Sequence, residues 1–212
     1  MKIITMEEAV NLIQDGQCLM VGGFGLAGEP RPLLHALAES DVKDLDIISN
    51  SSGGENKGVG RLVYAHKVKR LQCSHIGGCK ETQRQAMAGE IEVDLMPQGT
   101  FIERIRCGGM GLGGFLTETG VGTEVAKGKE VKVIDGVEYL LETPLHAEIA
   151  LICGTKADRY GNIYYHGASK NFNIAMATAA DKVIALVNEV VDEIQPELVG
   201  TPGFMVDYVV VK

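Results

Sequence analysis

Two short stretches carry the residue types that could meet a charged ligand. Residues 22–32 read GGFGLAGEPRP directly after the apolar run Cys18-Leu19-Met20-Val21, and Gly23, Gly25 and Gly28 spell G-x-G-x-x-G. The same spacing returns at Gly109, Gly111 and Gly114 in CGGMGLGGFLT. Glycine-rich backbone exposes successive N–H groups, which can approach a phosphate or thioester oxygen where side chains would block them. The first chemistry such spacing suggests is dinucleotide binding, which wants a strand before the loop and an acidic residue about 20 positions further on for the ribose hydroxyls. Here the second strand-like run, LDIIS, ends at Asn50-Ser51-Ser52, with Asp44 and Asp46 at its start. Glu29, just after the third glycine, would repel a pyrophosphate. The second match follows a helical pattern, the wrong geometry for that loop.

Other reactive groups are scattered. His35, His66, His75, His146 and His166 lie beside no serine or cysteine nucleophile motif, and surface or capping roles suit them. No H-x-x-x-H or carboxylate cluster suggests a metal. The five cysteines contain no C-x-x-C pair, so they read as reduced, packed thiols rather than a disulfide framework or a zinc site.

The background composition narrows the class. With 45% apolar residues in 212, the chain can bury a full core. Its 20 basic and 28 acidic residues leave a net charge of −8 with no dense basic stripe, so nucleic acid is not an expected partner. No apolar run approaches the roughly 20 residues of a membrane span, and MKIITMEEAV lacks the apolar segment of a secretory signal; the cytosol is the expected location. The 27 glycines cluster at 22–28, 53–60, 77–78, 108–114 and 120–122, mostly where a periodic segment ends. Backbone that turns sharply or is approached closely needs glycine there, as a ligand edge does.

The elements that must position these loops follow from periodicity. Thr5 and Glu8 form a capping box before a short helix with apolar positions 9, 10, 12 and 13. Strand-like runs at 18–22, 45–49, 68–73 and 91–96 alternate with helical patterns near 31–39, 59–66 and 81–89, the βαβ rhythm of a parallel sheet. A helix at 101–107 leads into the second glycine cluster. Asp135-Gly136 between alternating runs predicts a hairpin over 130–142. Strands at 149–153, 162–165, 182–187 and 206–211 and a helix near 172–180 complete the chain. The fold class is therefore α/β, a mainly parallel sheet flanked by helices with a small antiparallel hairpin, as a single domain over 1–212.

The run Asp15-Gly16-x-x-Leu19-Met20-Val21-Gly22-Gly23-Phe24-x-x-x-Gly28-x-Pro30 resembles the signature of the α subunits of class I (3-oxoacid) CoA-transferases, a far more specific pattern than three glycines. ISN at 48–50, GEIEVDLMPQGTFIERIRCGGMGLGGFLTETGVGT at 89–123, DRYGNIYYHGASKNFN at 158–173 and TPG at 201–203 resemble the same family in the same order. The resemblance covers nearly the whole chain and is nearest to the bacterial acetate or butyrate–acetoacetate CoA-transferase α subunits.

That resemblance implies a cytoplasmic enzyme that moves CoA between a short-chain acyl-CoA and a carboxylic acid. CoA is its substrate, with no permanently bound cofactor and no metal, and the partner is a β subunit in an α2β2 assembly. It also implies a ping-pong route through a glutamate in a Ser-Glu-Asn-Gly-like motif of the β subunit, which this chain lacks. Gly54-Glu55-Asn56-Lys57-Gly58 imitates that motif, but its flanks differ and Glu55 reads as a solvated loop carboxylate. The loop associated with CoA would be Gly22, Gly23, Phe24, Gly25, Leu26, Ala27 and Gly28. Candidates for the substrate or oxyanion wall are Asn50, Gln98, Gly108, Gly109, Gly113 and Phe115. The amides could donate to a developing oxyanion without adding charge, or merely cap loops. The second cluster could line the acyl pocket, with Phe115 as apolar wall, or form a structural loop under the subunit interface. An NAD(P)-binding Rossmann-type oxidoreductase and a non-catalytic CoA-ester-binding module are the alternatives.

Overall fold

The computed structural model describes residues 2–212. In chain order the first half comprises β1 (Lys2–Ile4), α1 (Met6–Asn11), β2 (Cys18–Val21), α2 (Arg31–Glu39), β3 (Leu45–Ser49), α3 (Val59–Tyr64), β4 (Val68–Cys73), α4 (Lys80–Met87), β5 (Glu92–Leu95) and α5 (Gln98–Gly109). The second half comprises β6 (Phe115–Thr117), β7 (Val131–Ile134), β8 (Val137–Glu142), β9 (Ala147–Cys153), β10 (Lys156–Asp158), β11 (Ile163–Tyr164), α6 (Asn171–Met176), β12 (Ala180–Val187), β13 (Glu189–Val191) and β14 (Tyr208–Val211). Among the described residues no helix is long and apolar enough to cross a membrane.

Local chemistry explains where several elements begin. The Thr5 side chain accepts from the Glu8 N–H at 3.1 Å and the Glu8 carboxylate accepts from the Thr5 N–H at 2.7 Å, so the expected capping box opens α1. Pro30 and Pro32 set the first turn of α2, whose Leu33, Leu34 and Leu37 are fully buried. The central strands are buried on both faces, which is why CLMV, ALIC and VIALV read as continuous apolar runs instead of alternating ones.

The eight main strands run in the order β1-β14-β12-β9-β2-β3-β4-β5, and every pairing is parallel. One core, under α1 to α4, contains Leu19, Leu33, Leu37, Ile47 and Leu62; the opposite core, under α5 and α6, contains Met20, Phe101, Ile105, Phe172 and Met176. The order turns around at β2, which lies between β3 and β9. Chains leaving the carboxyl ends of β2 and β9 therefore diverge, and the crevice they leave is where doubly wound sheets bind ligands.

The expected hairpin forms, with Asp135-Gly136 between β7 and β8. Several features differ from the sequence reading: the edge strand β1 was not expected, and the helix expected near 172–180 ends at Met176. The helix expected at 101–107 begins at Gln98 and continues through Gly108 and Gly109, where a side chain would overlap the Leu145 carbonyl and Thr178, respectively. Glycine in those last helical turns is thus a packing requirement. A third strand, β6, joins the hairpin, and β10, β11 and β13 form a separate three-stranded sheet. β11 falls within the strand expected at 162–165; β6, β10 and β13 have three residues each, too short for periodicity to register.

Two glycines of α5 test this account with opposite signs. Gly99 meets nothing within 4 Å of a built Cβ. Gly99→Ala is expected to stabilise the protein by a few tenths to about 1 kcal/mol in urea unfolding through reduced backbone entropy. Gly108→Ala is expected to cost about 1–3 kcal/mol in the same measurement, because a backbone carbonyl cannot give way. Equal effects at the two positions would contradict the packing account.

Candidate functional site

The loop Gly22–Gly28 leaves β2 at the point where the strand order turns around. Its tip is a tight turn, with Phe24 and Ala27 exchanging N–H···O bonds at 3.0 and 3.1 Å. Gly25 takes φ +57°, and a Cβ there would meet nothing within 4 Å, so the tip faces open space. Phe24 and Leu26 are 49% and 36% exposed, large apolar side chains left at a ligand edge.

The remaining glycines of this loop accommodate the protein itself. A side chain at Gly22 would overlap the amide of Asn173, and one at Gly28 would press on Ser169. Asn173 is fully buried. Its Oδ1 accepts from the Cys153 N–H at 2.9 Å, and its Nδ2 donates to the carbonyls of Gly28 and Ser169, both at 2.9 Å. Asn171 adds a bond from its Nδ2 to the Ala27 carbonyl at 3.0 Å. The Lys170-Asn171-Phe172-Asn173 segment is therefore the floor on which the loop rests. No spacing rule could have paired Asn173 with Gly28 across 145 positions, and only the combination of a glycine cluster with a buried-capable Asn pair hinted at it.

Two expected amides converge beside the loop. Asn50, at the end of β3, is 4% exposed; its Oδ1 accepts from the Gly25 N–H at 3.1 Å, and its Nδ2 reaches Ser74 Oγ at 3.2 Å and Gln98 Oε1 at 3.4 Å. Ser74, which the sequence did not single out, donates to the Asn50 carbonyl at 2.8 Å and so fixes the residue from both ends. Gln98 is exposed at the start of α5 and its side-chain oxygen accepts in this contact, which leaves the NH2 available as a donor. The arrangement can present a neutral donor next to exposed backbone, where negative charge on a substrate oxygen would be stabilised.

Neither nearby carboxylate resembles a free nucleophile. Glu55 is exposed but accepts from Tyr64 Oη at 2.7 Å and from the Lys80 N–H at 2.8 Å, which hold its carboxyl below the usual range and tie it to the start of α4. The expected solvated carboxylate is thus anchored on two sides. Glu29 is only 5% exposed. All five cysteines are free; burial pushes the Cys18 thiol up to about 12 and Cys73 to about 11, and raises Cys107 and Cys153 as well, so these thiols stay protonated. Among the described residues no His/Cys/Asp/Glu group could hold a metal.

The second glycine cluster is not at this edge. α5 starts at the carboxyl edge and its 12 residues rise about 16 Å, so Gly108 and Gly109 lie by Leu145 and Thr178, ahead of β9 and β12 at the amino edge. Gly113 faces open space and half-buried Phe115 begins β6 in the small antiparallel sheet. Within this chain Gly108 and Gly109 thus stand at the amino end of the sheet, away from loop 22–28. A cavity of about 520 Å³ does open at the carboxyl edge, lined by Thr155, Tyr164, His166, Ile194 and Leu198.

Comparison with known proteins agrees with this geometry. The Coenzyme A transferase family model matches residues 3–212. The acetate CoA-transferase subunit alpha of Escherichia coli (strain K12) is 45% identical over 213 residues, covering 100% of this chain and 97% of that protein. The acetoacetyl-CoA:acetate/butyrate CoA transferase alpha subunit of Clostridium acetobutylicum is 44% identical over 211 residues, covering 99% and 97%. An acyl-CoA transferase apoenzyme from Escherichia coli O157:H7 superimposes with a TM-score of 0.90 at 26% identity; all of this chain is covered, but it spans only 47% of that longer one. Glutaconate coenzyme A-transferase from Acidaminococcus fermentans, at 18% identity, a TM-score of 0.86 and coverage of 100% and 75%, shares the fold. With nearly every residue matched by the family model and two relatives aligned end to end, this chain belongs to the coenzyme A transferase family.

Proposed function

We propose that this chain is the α subunit of a cytoplasmic CoA-transferase that moves CoA between a short-chain acyl-CoA (acetyl-, butyryl- or acetoacetyl-CoA) and a carboxylic acid acceptor, working with a β subunit in an α2β2 assembly. The two relatives named as acetate and acetate/butyrate transferase α subunits support the substrate class. The observation that carries the reading is the chain Gly25–Asn50–Gln98, which holds a neutral amide donor beside the exposed backbone of the loop at the strand-order reversal.

The reaction divides one exchange of thiolate for carboxylate into easier steps. A glutamate of the β subunit attacks the thioester carbonyl, and CoA leaves as the thiolate, giving an acyl-glutamyl anhydride. The thiolate then attacks the glutamyl carbonyl and releases the acyl group as a free carboxylate. The resulting glutamyl-CoA thioester is reversed by the acceptor acid. A related acyl-CoA transferase from Escherichia coli O157:H7, 26% identical, is described as a thioester complex with CoA. In this scheme Gly22–Gly28 contacts CoA, and the Gln98 NH2 donates to the oxygen that gains charge during attack. Asn50 holds both Gln98 and Gly25 in place. Gly22, Gly23 and Gly28 leave room for Asn173, Glu29 and Ser169 of the protein itself, and LDIIS ends in Asn50-Ser51-Ser52 without the acid a dinucleotide loop would want.

The test mixes this chain with a β-type chain bearing the Ser-Glu-Asn-Gly-like motif and follows consumption of acetoacetyl-CoA in the presence of acetate. Transfer is expected only from the mixture; an inactive pair, or saturable NADH binding without CoA-ester binding, would contradict the reading. Gln98→Ala is expected to lower kcat about 10²-fold with little change in KM, as loss of one oxyanion donor does. Asn50→Ala is expected to lower kcat and raise KM together, because it also releases Gly25. Full kcat in Gln98→Ala would remove this amide from the mechanism.

A further inference from the structure

Glu29 is a carboxylate buried to 5% exposure directly after the last glycine of the loop. Its Oε1 accepts from the Val59 N–H at 2.9 Å, at the start of α3, while Oε2 is buried without a hydrogen-bond partner. Both neighbouring loops make room for it. Gly23, at φ +116°, leaves only 3.0 Å between a built Cβ and the Glu29 backbone and Cβ, and Gly58, at φ +61°, would overlap the Glu29 carboxyl if it carried a side chain. Leu26 at the loop tip in turn lies over Gly54, 3.6 Å from its built Cβ.

We propose that Glu29 is a positioning residue for CoA-ester binding, clamping the end of loop 22–28 to the start of α3 and so fixing loops 22–28 and 53–58 against each other. The assignment rests on loop 22–28 contacting CoA, as proposed above. It adds a control by pH. The groups facing Glu29 are Arg31 and His35 of α2, Lys212 after β14 and the Cys153 thiol at the end of β9; Lys57 and Arg61 line an adjoining cavity with Arg31 and His35. Burial nevertheless outweighs the Val59 N–H and Arg31, and pushes the carboxyl up to about 7 from its ordinary 4.5. The folded-state value is raised, so the neutral carboxyl suits the clamped geometry. The stabilisation it gives is complete below about 4.5 and is lost as pH rises through about 7. Above that, the charged group has an oxygen with no partner and is drawn outward to Arg31, His35 and Lys212.

The test measures kcat and KM for acetoacetyl-CoA from pH 6 to 9 in the assembled enzyme, and amide exchange of residues 22–28 and 53–58 in the full chain. The parent enzyme is expected to show KM rising several-fold above pH 7 with kcat nearly constant. Glu29→Gln, which keeps an acceptor for Val59 without a charge, is expected to keep a low KM at all pH values. Glu29→Ala is expected to raise KM about tenfold throughout, as loss of a buried hydrogen bond does, and to speed exchange in both loops at a pH where Glu29→Gln does not. A Glu29→Gln enzyme that follows the parent's pH profile, or a Glu29→Ala chain with unchanged exchange in both loops, would overturn the proposal. If the assembled pair transfers no CoA while the exchange pattern holds, the clamp stands and the functional reading falls.

Discussion

The carboxyl edge depends on one buried amide. Asn173 sits at the meeting point of the end of β9, the glycine loop after β2 and the turn at Ser169, and its oxygen and nitrogen satisfy three backbone groups there. The Cys153 N–H is buried, and leaving such a group without a partner would cost about 1–3 kcal/mol. The amide fits only because residue 22 has no side chain. From this contact the loop's path follows: Asn173 fixes its far end, Asn50 its tip and Glu29 its exit, leaving Gly25, Phe24 and Leu26 facing outward. A loop tied at three points is preorganised, so little conformational entropy need be lost when a ligand arrives.

The sheet was legible because its central strands are buried on both faces and therefore appear as unbroken apolar runs, and the hairpin because Asp135-Gly136 is required by its turn. The three-residue strands β1, β6, β10 and β13 were not, since three residues carry no period. Within the site, Asn50 and Gln98 were identifiable as amides in motifs, but Ser74 and Asn173 act through contacts distant in sequence. Glu29 is the instructive case. Beside a pyrophosphate it reads as a misplaced charge; in the fold it is a buried clamp whose carboxyl is pushed up to about 7, a role that depends on burial no local pattern can report. The twin G-x-G-x-x-G motifs make the converse point. Gly108 and Gly109 allow a helix to pack closely against Leu145 and Thr178, while Gly25 opens backbone to solvent, so equal spacing conceals unequal causes.

The chemistry follows from what this edge holds and what it withholds. The side chains that reach the tip of loop 22–28 are neutral amides, suited to an oxygen gaining negative charge; the two carboxylates beside the loop are committed, Glu55 to Tyr64 and the start of α4, Glu29 to Val59. A carboxylate held below its usual range by two hydrogen bonds is a poorer nucleophile than a free one, and a buried clamp cannot reach a thioester. The chain thus offers no free carboxylate beside loop 22–28, which is what the proposed glutamate of a β subunit would require. Its protonated, packed thiols add no competing nucleophile.

The central claim is therefore about where the covalent intermediate forms. The most direct measurement incubates the chain with acetoacetyl-CoA, alone and with its β-type partner, reduces with borohydride, and maps the modified residue by mass spectrometry. The account predicts modification only in the mixture and only on a glutamate of the partner. Capture on Glu55 of this chain, with or without the partner, would contradict it.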